Sequence, residues 1–377
     1  MSTVKVNAIT DASGGNTATI NSMTPTADSL QGFRNRIING DMRIDQRNAG
    51  ASVTLTSGGV YPVDRWRCDE FTDGGATGEQ VQDAPAGFVD SLKITTTTAD
   101  GTLSAAQNML INQFIEGFNT SDFGFGTANA KTITLSFWVK SSLTGTFAGG
   151  CDNNDNNRSY VFNYTISSAN TWEYKTVTIA GDTSGTWLTT NSRGISVRFA
   201  LGAGTDYDGT VGAWQSGLKF SSSGATSVIG TLNATWYITG VQLEVGSVAT
   251  PFERRDYGRE LALCQRYYWK TLPDNAGAEF CVAYGTATTN AAGIVFFPAS
   301  MRIAPTALEQ TGTAGDYRVF RCGAATNTTC SSVPVFGKTT PNYGSVTFTV
   351  ASGLTNGSAG SLATVNTSAY LAWSAEL

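Results

Sequence analysis

The chain has 377 residues, of which 14% are charged, and a single core stops growing at about 250 to 300 residues, so more than one domain is expected. Glycine numbers 42 and the formal net charge is −5, a balance that favours short strands joined by tight polar turns and leaves no basic footprint for nucleic acid. There is no histidine, which excludes a Ser-His-Asp or Cys-His nucleophile and leaves only carboxylate, lysine or tyrosine chemistry.

Residues 1–34 open on MSTVKVNAITDASGG, without the basic start and apolar centre of a secretory signal. No apolar run approaches the ~20 residues that span a bilayer, so membrane insertion is not expected. Val4, Val6, Ile9 and Ile20 fall in two short extended pieces that bury too little surface to stand alone. They are expected to lean on sister chains or on a larger assembly as an oligomeric anchor, with a disordered tail as the alternative.

The densest charge follows, in NRIINGDMRIDQRNAG from Asn35 to Gly50. Asp41, Arg43, Asp45 and Arg47 are expected to tie the next module to the stalk before it, or to tie subunits together. Asp64 and Arg65, flanking Trp66, read as a local ion pair or turn cap. From residue 35 to 254 strands alternate with Gly, Asn and Asp turns. In KTITLSFWVKSS, Ile133, Leu135, Phe137 and Val139 share one face while Thr134, Ser136, Trp138 and Lys140 share the other, the period of a half-buried strand. Tyr160, Phe162, Tyr164 and Ile166 in SYVFNYTI make a second apolar face. Such strands without a helical period predict a β-sandwich of jelly-roll type. Trp66 and Trp236 are expected in its core.

In ERRDYGRELALCQRYYWK, Leu261, Cys264 and Tyr268 fall at i, i+3 and i+7, so residues 255–270 are expected as a helical linker, with Trp269 belonging to it. A helix this short is not stable alone, and its stripe must pack on a domain or on sister helices about a symmetry axis. Residues 271–377 predict a smaller C-terminal β-sandwich, the natural distal tip. The fold class expected is therefore all-β: N-terminal extended anchor, jelly roll, short helical linker and second β-sandwich.

Cys68, Cys151, Cys264, Cys281, Cys322 and Cys330 show no CxxC pair and are expected as buried free thiols, Cys322 and Cys330 being the one close pair. The run CDNNDNN offers oxygen from Asp152 and Asp155 but lacks the glycine turn and bidentate glutamate of a calcium loop, so a solvated loop is expected.

Taken in order, IINGDM, DRW, TLSFWVKSS, NTWEYKTVTI and ATWYITGVQLE resemble carbohydrate-binding modules with a galactose-binding-like jelly roll. NRIINGDMRIDQRNAG, GAWQSG and TPFERRDYGRELALCQRYY, with FPASMRIAPTAL and YLAWSAEL near the end, look like the tail-fibre and receptor-binding proteins of bacteriophages. The resemblance implies a virion component, made in the host cytoplasm as a homotrimer, with its N-terminus fixed to tail or baseplate proteins and a host surface polysaccharide as its target. Many modules of this type hold a structural calcium with an aspartate in the closing strand. Here Thr239 stands at that place, so no cofactor is expected, with a structural calcium kept as the alternative.

Glycans are held by stacking on aromatic rings and by side-chain hydrogen bonds. Trp138 is the sharpest candidate, since strand phase puts it on the polar face unless a loop or neighbouring subunit covers it. Trp172 and Tyr174 share phase with Thr176 and Thr178 and extend the same platform. Trp187 and Trp214 lie in Gly/Ser-rich loops as anchors or ligand contacts, and Trp214 is expected among the carbohydrate-binding residues. No catalytic residue is singled out, since no carboxylates cluster and no stacked repeat of a parallel β-helix is present. A head-fibre, decoration or baseplate role, and a glycan depolymerase, are the alternatives.

Overall fold

The computed structural model describes residues 33–322 and 327–377. Val4, Val6, Ile9 and Ile20 lie outside the described residues. The described chain is all-β apart from one α-helix and short 3-10 turns, and its named strand pairs are antiparallel.

The first unit is a jelly roll of two sheets. One runs in the order Val53–Thr54, Gly75–Val81, Ser91–Thr98, Thr235–Val245, Ile133–Ser141, Glu173–Ile179. The other runs Trp214–Ser216, Arg158–Ile166, Gly145–Asp152, Arg193–Ala203, Asn108–Glu116, Trp66–Phe71, Val60–Val63. Strict alternation makes them pack: Ile133, Leu135, Phe137 and Val139 are all 0% exposed and meet Phe162, Tyr164 and Phe199 from the opposite sheet. Phe199 lies at the centre, its ring 5.0 Å from Phe137 and 5.7 Å from Trp236. Each such large side chain contributes about 1.5–3 kcal/mol when buried. Trp66 and Trp236 are both in this core.

A second unit faces the first. A three-stranded sheet, Tyr268–Lys270, Leu371–Ser374, Glu309–Gln310, packs under a seven-stranded one in the order Thr328–Thr329, Tyr317–Arg321, Ala359–Thr364, Glu279–Gly285, Asn290–Phe296, Tyr343–Thr349, Val335–Thr340. Trp269, Phe297, Trp373, Val346 and Phe348 belong to its core.

The joint between the units is where the sequence reading needs correction. The helix is Tyr257–Gln265, opened by Asp256, whose side chain accepts from the Arg259 N–H at 2.9 Å. Its apolar side, Leu261, Leu263 and Cys264, packs on Ile38, Ile44, Tyr267 and Leu377 of the same chain. Cys264 is fully buried there and Tyr268 is 2% exposed, so neither is offered to a sister helix. Tyr268 and Trp269 are strand residues: the β-preferring run YYW overrides the helical period, and Trp269 stacks on Trp373 at 5.5 Å and 9°.

The opening charges also act within the chain. Arg47 pairs with Asp64 at 3.5 Å and with Glu376 at 3.1 Å, and Arg65 pairs with Glu376. Gln46 Nε2 donates to Asp64 at 2.6 Å and to the Tyr268 carbonyl at 2.9 Å, while Lys270 Nζ donates to the Arg47 carbonyl at 2.8 Å. Asp64 and Arg65 are thus no local pair. They are buried members of a cluster that fastens the opening of the first unit to the last residues of the second. Asp41 pairs locally with Arg43 at 2.8 Å, and Asp45 accepts from the Asn48 and Gly50 N–H groups at 2.9 and 2.8 Å, closing a turn.

The cysteines are all free. Cys68, Cys151, Cys264 and Cys330 are buried and Cys281 partly so, but Cys322 is exposed, against the expectation of burial.

Candidate functional site

The outer face of the six-stranded sheet gathers three of the four aromatic candidates. Trp138 stands in register between Tyr174 on one neighbour and Thr239 on the other, and the Trp138 and Tyr174 rings lie 5.3 Å apart, tilted by 47°. The next row crosses four strands as Glu79, Lys93, Tyr237 and Lys140. Trp172, just before its strand, sets its ring edge-on to Tyr237 at 6.2 Å.

Between these rings runs a chain of charge. Lys140 Nζ sits 4.1 Å from the Tyr237 ring centre and 5.2 Å from that of Trp172, close enough for cation–π attraction. The same ammonium pairs with Asp83, which also accepts from Trp172 Nε1 at 3.2 Å. The hydrogen bond from Lys140 holds the Asp83 carboxyl below the usual carboxylate range. Lys93 pairs with Glu79 at 2.8 Å, a contact that raises the lysine. Glu173 and Lys175, in register with Val139 and Phe137, belong to the opposite face and pair with each other at 2.6 Å.

A loop flanks one side of the platform. The closing strand has a register shift between Thr239 and Gln242, and Gly240 there has φ +62°. A Cβ at this position would lie 2.7 Å from the Phe88 ring and 3.1 Å from Trp138 Cδ1. The missing side chain lets Phe88 rest beside Trp138, which leaves Trp138 half-buried while Tyr174 stays 44% exposed. Phe88 is in turn held by Phe252 at 5.2 Å and by Arg254, 4.7 Å from its ring centre.

Trp214 stands apart from this face, at the edge of the other sheet. Its ring is 5.2 Å from Trp187, 5.4 Å from Tyr160 and 5.6 Å from Phe125, and its Nε1 donates to the Ala180 carbonyl at 2.6 Å. Trp187 donates to the Ser184 carbonyl at 3.0 Å. Both indoles pack against the core edge as anchors. Sequence phase alone could have found Tyr237, one step from buried Trp236. Asp83 and Phe88 arrive on a loop with no periodicity to mark them.

The residues at the expected calcium place do not fit the ion. Thr239 Oγ1 donates to the Asp90 carbonyl at 2.7 Å and supplies no charge. In CDNNDNN, Asp152 is taken by Arg198, with Nη2 at 3.0 Å, and faces Arg193 at 3.8 Å. Two guanidinium groups beside one carboxylate already satisfy it and repel a cation.

No family model and no curated protein matches this sequence. Among solved structures, a family 4 carbohydrate-binding module is 18% identical at a TM-score of 0.28, covering 55% of this chain and 98% of that one. The family 11 module from Clostridium thermocellum, in complex with a mixed-linked tetrasaccharide, is 13% identical at 0.27 over 53% and 98%. The enzymatically active domain of tailspike protein 4 from bacteriophage CBA120 is 12% identical at 0.30, covering 56% of this chain and 21% of that one. The chain thus matches about a fifth of the tailspike domain's length.

Proposed function

We propose that this chain is a non-enzymatic attachment protein of a bacteriophage virion, a tail fibre that grips host surface polysaccharide with the outer face of its six-stranded sheet. The observation that carries the reading is the platform itself: Trp138, Tyr174, Trp172 and Tyr237 share one face, with Lys140 and Asp83 between the Tyr237 and Trp172 rings and Lys93 and Glu79 continuing the row beyond Tyr237. Rings offer flat apolar surface to sugar C–H faces, and the paired charges offer donors and acceptors to hydroxyls. Hydrolysis needs a carboxylic acid held protonated near neutrality. Asp83, the carboxylate between the rings, is shifted the other way, which favours binding over cleavage. The ordered motifs resembling phage receptor-binding proteins support the viral setting, with a homotrimer fixed to tail or baseplate through residues 1–34.

Binding of the full chain to a host polysaccharide, by glycan array and calorimetry, tests this. Tyr174→Ala and Trp138→Ala should each weaken binding at least about tenfold, or 1.4 kcal/mol. Tyr174 is the cleaner variant because it is exposed. Unchanged affinity in both variants would remove this face from recognition.

A further inference from the structure

The seven-stranded sheet of the second unit has one face in the core and one face bare. On the bare side, Tyr284, Ala292, Thr347 and Val335 stand in register across adjacent strands. Beside them Ile294 stands opposite Ser345 and Phe296 opposite Tyr343, whose rings are 6.1 Å apart. Val282 shares the strand of Tyr284. The exposure is high: 77% for Val282, 72% for Phe296, 58% for Tyr284, 53% for Val335 and 46% for Ile294. With aromatic side chains worth about 150–250 Å² each, the patch is on the order of 500 Å².

We propose that this face is the contact between copies of this chain. Its central residues carry no charge, Arg318, Glu279 and Lys338 lying at its margins, so gathering copies of it about the three-fold axis of a homotrimer brings no like charges together at the centre. Its apolar area suits the centre of a contact burying about 800 Å² per partner, with Arg318, Glu279 and Lys338 in the rim. A sugar would want carboxylates or amides beside the rings, and a lipid surface would want lysine or arginine for its headgroups. The centre of the face offers only hydroxyls, from Tyr284, Ser345 and Thr347. It also points away from the first unit, because the opposite side of the sheet packs on the three-stranded sheet that Gln46 and Lys270 fasten to the jelly roll. The glycan platform therefore stays open when copies meet here. This inference rests on the oligomeric part of the function proposed above and not on glycan recognition.

Sedimentation velocity on the full chain tests it. The parent protein should sediment as an oligomer at micromolar concentration, and Phe296→Lys and Val282→Asp should each raise the dissociation constant at least tenfold, with the melting temperature of the fold retained. Val248→Lys, at a 60% exposed residue of the first unit, should leave the oligomer intact. A parent protein monomeric throughout, or charged variants that stay assembled, would overturn the proposal, as would equal dissociation by Val248→Lys. Per-site glycan affinity measured on the monomeric variants separates the two readings: retained affinity with lost avidity on cells supports both, and lost affinity strikes only the glycan face.

Discussion

At Gly40 one absent side chain holds the opening corner against the closing strand. A Cβ there would stand 2.2 Å from the Val241 carbonyl oxygen, and that oxygen belongs to backbone that cannot swing aside. Asn39 before it takes φ 57°, a left-handed conformation asparagine tolerates. Its amide then donates to the Ile44 and Asp64 carbonyls at 2.8 and 2.9 Å, and its Oδ1 accepts from the Ile44 N–H at 3.0 Å. The Asn-Gly pair was legible as a turn. That its real partner is the strand Thr235–Val245, some two hundred residues on, was not, because nothing local in a sequence marks a close approach. Gly40→Ala should destabilise the first unit by more than about 2 kcal/mol, an overpacking cost against backbone. Urea denaturation followed by tryptophan fluorescence measures it, and a midpoint equal to the parent's would show that the corner relaxes freely.

Among the elements, strands with strict alternation were read well and the joint was read poorly, for one physical reason. Period two in Ile133–Ser141 records a choice of face that every residue repeats. The segment 255–270 records two choices in quick succession, since a nine-residue helix gives way to the strand Tyr268–Lys270 once aromatic residues can pair with Leu371–Ser374. Tyr268 happened to fall on the helical stripe, so spacing alone assigned it to the wrong element. The helix itself relies on its tertiary face, and its one local aid is the Asp256 cap. Asp256→Ala should cost about 1 kcal/mol. The expected result is a small drop in the urea midpoint with an unchanged slope, and no drop would mean that packing of Leu261, Leu263 and Cys264 alone holds the first turn.

Across the whole molecule, the two units are fastened by charges taken out of water. Arg65 is 2% exposed and Arg47 stands over the Tyr268 ring at 3.6 Å, both turned towards Glu376. Asp64 shares this joint with Gln46, Arg47, Asp45 and Glu376. Burial is the largest influence on its carboxyl and raises it from 3.8 to about 6, against the pull of Arg47 and the Gln46 hydrogen bond. The folded chain therefore holds a proton here that the unfolded chain has released between pH 3.8 and about 6. A raised acid favours the folded state fully below the lower value and loses that contribution as pH rises through the upper one. Part of the chain's stability should accordingly fall between pH 4 and 6 and level off above. Asp64→Asn keeps an acceptor for Gln46 and removes the titration, so its difference from the parent in urea midpoint should change across that window and stay constant above it. A difference independent of pH from 4 to 7 would show that Arg47 keeps Asp64 ionised throughout, and the joint would then be a permanent ion cluster that does not respond to mild acid.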